Sequence, residues 1–444
     1  MPIRALVLLV ALVASLPMCF FRPFYGILVW TIVAFLHPQS YLWGATNLFP
    51  WAQAVAIPTL AGMFLFSRNL NALFSRKVLL LLILWAWFGI TSMLSTSNPM
   101  FMHHAADTWQ HLGDVSKVLL MTVALIPIVD SFERLRILVI VTASCFGFYV
   151  LKSLPFIILT GGAFRLYGPP QSMIADNNDF GLALDMTLPL FFFLAQAETN
   201  PRLKWLFAFF CLITIPAIFF TYSRGAVFGL VVIGLLMCLR MKGRIVLIPA
   251  ILIAVAIAAL FAPEGWRQRM NPDNAVDNSA RERFNSWTFS WNLAQDYPIA
   301  GGGFSTFTPE LFGRYAPVGQ DVHGPHSVYF GVLAEHGFTG LFLYLGLVVW
   351  CLASLVRLGR LARYYGDPLV ISYANMFLFS LVAFLASGIF LGRAYFDYYF
   401  SIVACIVVLE RVVRNRWDDS LFQNADPEIE DGEIREVPCI QQPS

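Results

Sequence analysis

A histidine and a few arginines stand out in a chain that is otherwise almost uniformly apolar. Arg165, Arg224 and Arg393 each fall at an edge between apolar runs, and Arg281 and Arg283 lie in the long polar stretch 263–340. That stretch contains Arg but no Lys. A guanidinium is a planar fork that meets phosphate or carboxylate with two parallel hydrogen bonds, which an ammonium cannot do. Arg224 sits in T-Y-S-R-G-A with hydrocarbon-grade sequence on both sides. An arginine so placed costs a few kcal/mol unless it snorkels or is paired, so it reads either as an interfacial anchor or as a ligand for an anionic headgroup.

Within the long stretch, Ser279-x-x-Glu282 has the form of a capping box and predicts a helix from 279 to about 295. Phe284, Trp287 and Trp291 form its apolar stripe, read as packing rather than a sugar platform. Arg281 and Arg283 fall in the first turn, where the helix dipole opposes a cation but free N–H groups favour an anion. The glycine cluster Gly301, Gly302 and Gly303 lacks the downstream pattern of a nucleotide loop and reads as a sharp turn. His326 is expected to open a helix running to Glu335 and breaking at Gly337, since 326–356 is too long for one span. At 100° per residue Glu335 would lie on the opposite face from His326. An outward histidine at the mouth of a membrane domain suits a general base near neutral pH. His323 and His326 resemble half a metal site, but no third ligand recurs at suitable spacing, so no metal is expected. Asp185 and Lys152 are charges within apolar runs, read as functional or as a mutual ion pair.

These residues need a membrane scaffold to hold them. Of 444 residues 58% are hydrophobic and only 13% charged, with a mean hydropathy of +0.68. Soluble domains carry roughly a quarter charged residues, so this is an all-α polytopic membrane protein. No basic patch suggests nucleic acid. Seven scattered cysteines without a C-x-x-C pair support neither a disulfide framework nor a cysteine zinc site. Candidate spans are 3–21, 24–37, 51–67, 78–95, 114–130, 137–160, 179–196, 205–222, 225–240, 246–262, 338–356, 368–391 and 397–413. That makes about 12 or 13 helices, the ambiguity resting on the first run, which is read as retained rather than cleaved.

Lys and Arg collect in alternate loops: Arg68, Arg76 and Lys77; Arg134 and Arg136; Arg202 and Lys204; Arg240, Lys242 and Arg244; Arg357, Arg360 and Arg363; Arg411, Arg414 and Arg416. By the positive-inside rule these are cytoplasmic, and the long loop faces outward. The expected organisation is transmembrane helices over 1–262, an extracytoplasmic, periplasmic loop with short helices over 263–337, and the last spans over 338–413. A disordered acidic cytoplasmic tail completes it over 414–444.

The assembled motifs resemble the O-antigen ligase and polymerase superfamily of bacterial membrane glycosyltransferases. The pieces fall in order: R-L-Y-G with Arg165 and Asn178, S-R-G-A with Arg224, and D-x-S-x-x-x-R-x-x-x-W with Asp277, Ser279, Arg283 and Trp287. P-x-x-G-x-G follows at Pro298, then H-S-x-Y with His326 and Tyr329, and E-x-G-x-x-G with Glu335, Gly337 and Gly340. Ser327 stands where many members carry Asn, and His323 has no counterpart. The amino-terminal half is similar to the subgroup of probable O-glycosylation ligases associated with exosortase systems.

The resemblance implies multi-pass residence in a bacterial inner membrane and transfer of a glycan from an undecaprenyl-diphosphate carrier. The acceptor would be a hydroxyl on a lipid, a glycan or a protein Ser/Thr, and the displacement periplasmic, metal-independent, cofactor-free and inverting. Carried over by position, His326 would activate the acceptor, and Arg224, Arg283 and Arg165 would bind the diphosphate. Asn178, Tyr329, Glu335 and Arg281 would support them. A polymerase of lipid-linked repeat units fits the same motifs. A lipid-linked glycan transporter fits less well, because the polar density lies at the outer boundary and not at the midplane.

Overall fold

The computed structural model describes residues 3–42, 49–66, 70–239 and 279–417. The expected span 246–262, Arg68, Arg240, Lys242, Arg244, Asp277 and the acidic tail 418–444 lie outside the described residues. Among the described residues the regular structure is helical, and eight helices are long and apolar enough to cross a membrane. The chain is an all-α polytopic membrane protein.

In chain order the helices before the polar segment are α1 Ile3–Phe21, α2 Pro23–Thr31 with a π turn Ile32–Leu36, and α3 Trp51–Phe66. They continue as α4 Arg76–Thr96, α5 Ala105–Ile128, α6 Phe132–Thr160, α7 Asn177–Ala197, α8 Pro201–Phe219 and α9 Arg224–Leu239. The polar segment holds α10 Arg281–Asp296 and α11 Pro309–Tyr315, and α12 Val328–Tyr364, α13 Pro368–Ser387 and α14 Asp397–Arg416 complete the bundle. Helix starts follow the short polar residues before each apolar run. Ser75, Ser131, Asp176, Asn200, Thr308 and Asp367 each accept a bond from a backbone N–H in the first turn.

Burial separates central helices from peripheral ones. The apolar window of α7 is 78% buried and that of α1 only 17%. Close packing of α7, α9 and α13 relies on a missing side chain: a Cβ at Gly229 would stand 1.9 Å from the Ser387 hydroxyl and 2.5 Å from the Asp185 carboxylate. The anticipated Lys152–Asp185 pair does not form. Asp185 is fully buried and accepts from Ser387 at 2.6 Å, whereas Lys152 points outward and donates to the Tyr41 hydroxyl at 3.2 Å. Similar depth along two helices does not place two side chains on facing sides.

The polar segment has a small core of its own, made of Phe101, Phe289, Leu293, Leu311, Phe312, Tyr315 and Ala334. This corrects two expectations for α10. Residues 279 and 280 form a π turn that runs into α10, so the cap position falls on Ala280, which makes no side-chain cap bond, and not on Ser279. The buried face carries Phe289 and Leu293, while Phe284 and Trp291 are exposed. Trp287 turns the other way and stacks on Phe330 of α12 at 5.2 Å.

The break expected at Gly337 is present, with φ 67° and ψ −172° inside α12. Two backbone groups that helical bonding would have paired are taken by the preceding loop: Gly302 N–H donates to Ala334 O at 2.8 Å, and Phe338 N–H donates to Pro298 O at 2.8 Å. Gly303 N–H also reaches Glu335 O at 2.9 Å. The glycines are required by proximity as well as by dihedral: a Cβ at Gly301 would meet Ala334 O at 2.5 Å. From below, Ser95 donates to Gly302 O and Thr108 to Phe304 O at 2.8 Å, fixing the loop to α4 and α5.

Gly337→Ala would force a Cβ to 2.5 Å from Ile299 O in a region that only glycine occupies freely. Strain of about 1–3 kcal/mol is expected, seen as a lower thermal midpoint of the purified protein in detergent. A melting curve matching wild type would show that the break is not under this constraint.

Candidate functional site

The site is built where α10, the 316–327 loop and the near ends of α7 and α9 converge. Asn285 ties α10 to the loop: its Nδ2 donates to Val318 O at 2.9 Å and Asp321 O at 3.0 Å, and its Oδ1 accepts from Val318 N–H at 2.9 Å. The loop then delivers His323 and His326, whose rings lie 6.2 Å apart. His326 does not open the helix as expected. It stands two residues before α12, with φ 45°, and Ser327 occupies the N-cap position. A left-handed conformation is uncommon in a non-glycine residue and marks this position as one the surrounding structure holds in place. Val328 N–H donates to Gly388 O at 2.9 Å, which holds that turn against the end of α13.

Glu282, His323 and His326 each present a ligand-capable atom, all within 4.8 Å of one another. The third donor that spacing could not supply therefore comes from α10, so sequence spacing gives no ground for excluding a metal. Yet the surroundings are cationic. Burial first, then the Arg283 guanidinium and His323, hold the His326 imidazole below the ordinary histidine range, while Glu282 and Asp176 pull it upward. Burial and then the nearby Arg224 charge likewise lower the pKa of Arg283. Two guanidiniums near enough for one charge to act on the other, one with a buried Nε that has no hydrogen-bond partner among the described residues, form a locus that is complementary to an anion. His323 is occupied on its other side by Asp321, Nε2 to Oδ1 at 2.6 Å.

Arg224 is the first residue of α9, in a turn whose Ser223 hydroxyl accepts from Ala226 N–H at 3.3 Å. Asn177 of α7 donates to Thr221 O at 2.8 Å, so the starts of α7 and α9 are fastened together. Arg165 lies close by: burial raises the Tyr222 phenol pKa and the Arg165 charge lowers it. Asn178 belongs to the same helix start, with its N–H on the Asp176 carboxylate at 2.8 Å. Arg281 is exposed at the beginning of α10. Arg393 is neutralised by Asp179 at 2.7 Å.

Two expected supporting residues are turned elsewhere. Tyr329 donates to Leu385 O at 2.8 Å, anchoring α12 to α13. Glu335 is buried beneath the loop, accepting from Tyr395 at 2.5 Å and from Ser305 N–H at 3.0 Å. Conversely, Glu282 and Asp176 face His326 without having been singled out for it. The sequence signal for Asp176 is its place as a helix cap, and Glu282 entered only as the acidic member of the Ser279-x-x-Glu282 pattern.

The family model described as O-antigen ligase matches residues 208–345, a region that contains Arg224, Arg283 and His326. A second model, described as a family of unknown function (DUF5935), matches residues 3–199, with Arg165 and Asn178. No curated protein matches the chain. The first match supports the O-antigen ligase superfamily and a glycosyltransferase-like enzyme, whose general partners are the bilayer and lipid-linked glycans.

The electrostatics give opposite signs for two neutralising changes. Arg283→Gln should raise the His326 pKa toward the ordinary value, and Glu282→Gln should depress it further. Histidine ¹³C NMR titration in micelles reads both, and movement of the two variants in the same direction would refute the arrangement.

Proposed function

We propose that this protein transfers a glycan from an undecaprenyl-diphosphate carrier to an acceptor hydroxyl on the periplasmic face of a bacterial inner membrane. The observation that supports this most is the convergence of Arg224 and Arg283, with an orphaned buried Nε, beside the depressed imidazole of His326. A polyprenyl diphosphate is a membrane-bound anion, and its phosphates would enter at the start of α9 while its chain stays in the bilayer.

In the reaction, a neutral His326 nitrogen takes the acceptor O–H proton as the acceptor oxygen forms its bond to the anomeric carbon. The bond from that carbon to the diphosphate oxygen breaks, and its electron pair leaves with the diphosphate. A single displacement of this kind inverts the anomeric centre. Negative charge grows on the leaving group, and fixed guanidiniums aimed at it help most in the transition state. The lowered pKa of His326 keeps the base unprotonated at neutral pH, and Glu282 and Asp176 stabilise the imidazolium formed during transfer. Arg165 and Arg281 at the rim extend the positive field toward an incoming diphosphate. Asn178, at the α7 start, completes the same edge.

A ligase adds the glycan to a lipid, glycan or protein acceptor, and a polymerase adds it to a second lipid-linked glycan. The site's groups act alike in both. The grouping of Glu282, His323 and His326 favours one further reading, a cation-assisted transfer. The arginine clamp makes that unnecessary, and full transfer in the presence of a chelator is expected.

With purified lipid-linked donor, His326→Ala should reduce transfer by on the order of 10²-fold or more while membrane insertion and donor binding persist. Wild-type turnover in that variant would sink the general-base role. Arg224→Lys keeps the charge but loses the fork, and slowed donor turnover is expected; unchanged kinetics would argue against bidentate recognition.

A further inference from the structure

At the opposite end of the bundle from His326, α4, α12 and α14 enclose a cavity of about 880 Å³. Its lining includes Arg76 and Lys77 at the start of α4, Arg357 of α12, and Arg411 and Arg414 of α14. Glu410 is the one carboxylate among the lining residues, and Lys77 already neutralises it at 2.5 Å. Arg411 donates through Nη2 to Val129 O at 2.5 Å, and its Nη1 is buried with no hydrogen-bond partner among the described residues. Topology marking explains cations near this end of the helices. It does not explain why three separate clusters meet around one concavity that holds a buried guanidinium nitrogen without a partner among the described residues.

We propose that this cavity binds the headgroup of an anionic phospholipid. A phosphodiester supplies an acceptor for Arg411 Nη1, which has none among the described residues. Lipid, not free phosphate, is favoured by what flanks the opening. Phe74, 85% exposed, lies on the rim, and the neighbouring faces of α4 and α12 expose Leu79, Leu82 and Val349. Acyl chains can run down those apolar faces while the headgroup stays among the arginines. Basic pockets between helices on the cytoplasmic side are suited to anionic headgroups. The site lies outside the proposed transfer chemistry and stands or falls separately.

Native mass spectrometry of the full chain, released from detergent with phosphatidylglycerol or phosphatidylcholine, tests it. Phosphatidylglycerol should be retained preferentially, and Arg411→Gln should lower retention by roughly fivefold. Arg357→Gln, on a different wall, should act in the same direction and covers the case in which the first variant fails to fold. Arg134→Gln, at the same end but outside this cavity, should leave retention unchanged. Equal retention of both lipids, or equal loss in all three variants, would overturn the proposal. Displacement by millimolar inorganic phosphate would assign the cavity to a soluble anion instead. Retention appearing only after removal of residues 418–444 would assign it to the chain's own acidic tail.

Discussion

The structure depends on how the backbone is satisfied where α12 is interrupted. At Gly337 the helix gives up its internal pairing, which frees Ala334 O and Phe338 N–H in a dry setting. An unpaired backbone group in such surroundings costs several kcal/mol, so an interruption survives only if other protein groups take over. The 298–303 loop does so, with Gly302 and Pro298 as partners. This fixes the end of α10 against α12 and, through Asn285 and Trp287, the turn that carries His326. The position of the proposed base is therefore set by a break some ten residues away.

Around that frame, polar groups serve two different ends. Beneath the loop, Glu335, Tyr395 and Ser305 close a compact network, and His336 meets Thr91 at 2.7 Å while Trp87 donates to the His336 carbonyl at 3.2 Å. These bonds join the polar segment to the membrane helices. At the mouth, the Arg224 charge lowers the pKa of Arg283, Arg283 Nε lacks a partner among the described residues, and His326 has a left-handed backbone. Like charges and strain held together by surrounding structure are what an anion-binding centre requires before its ligand arrives.

Much of this was legible in the sequence for one-dimensional reasons. Apolar runs of about 20 residues marked the helices, and the excess length after His326 marked the break at Gly337. What failed needed azimuth or distance. Lys152 and Asp185 matched in depth but face different surroundings, Tyr41 in one case and Ser387 in the other. The apolar residues of α10 serve two partners, so Phe289 and Leu293 enter the small loop core while Trp287 crosses to Phe330. Glu282 could not be joined to His323 and His326 by spacing, because the glycine turn and α11 lie between them in the chain.

The run from His326 to Gly340 looks like a single functional motif, yet the fold assigns its members different tasks. His326 lies before the helix, within reach of the Arg283 charge. Tyr329, one turn later, is spent on Leu385 O and keeps α12 against α13. Glu335 holds Ser305 and Tyr395, Gly337 supplies the break, and a Cβ at Gly340 would press to 2.3 Å on the His336 side chain. Only the first of these belongs to the proposed site. The rest form the joint that fixes its position, so a motif of this spacing chiefly marks the architecture that aims one histidine. Removing the joint would loosen the loop from α4 and α5, whereas removing the histidine would leave that attachment in place.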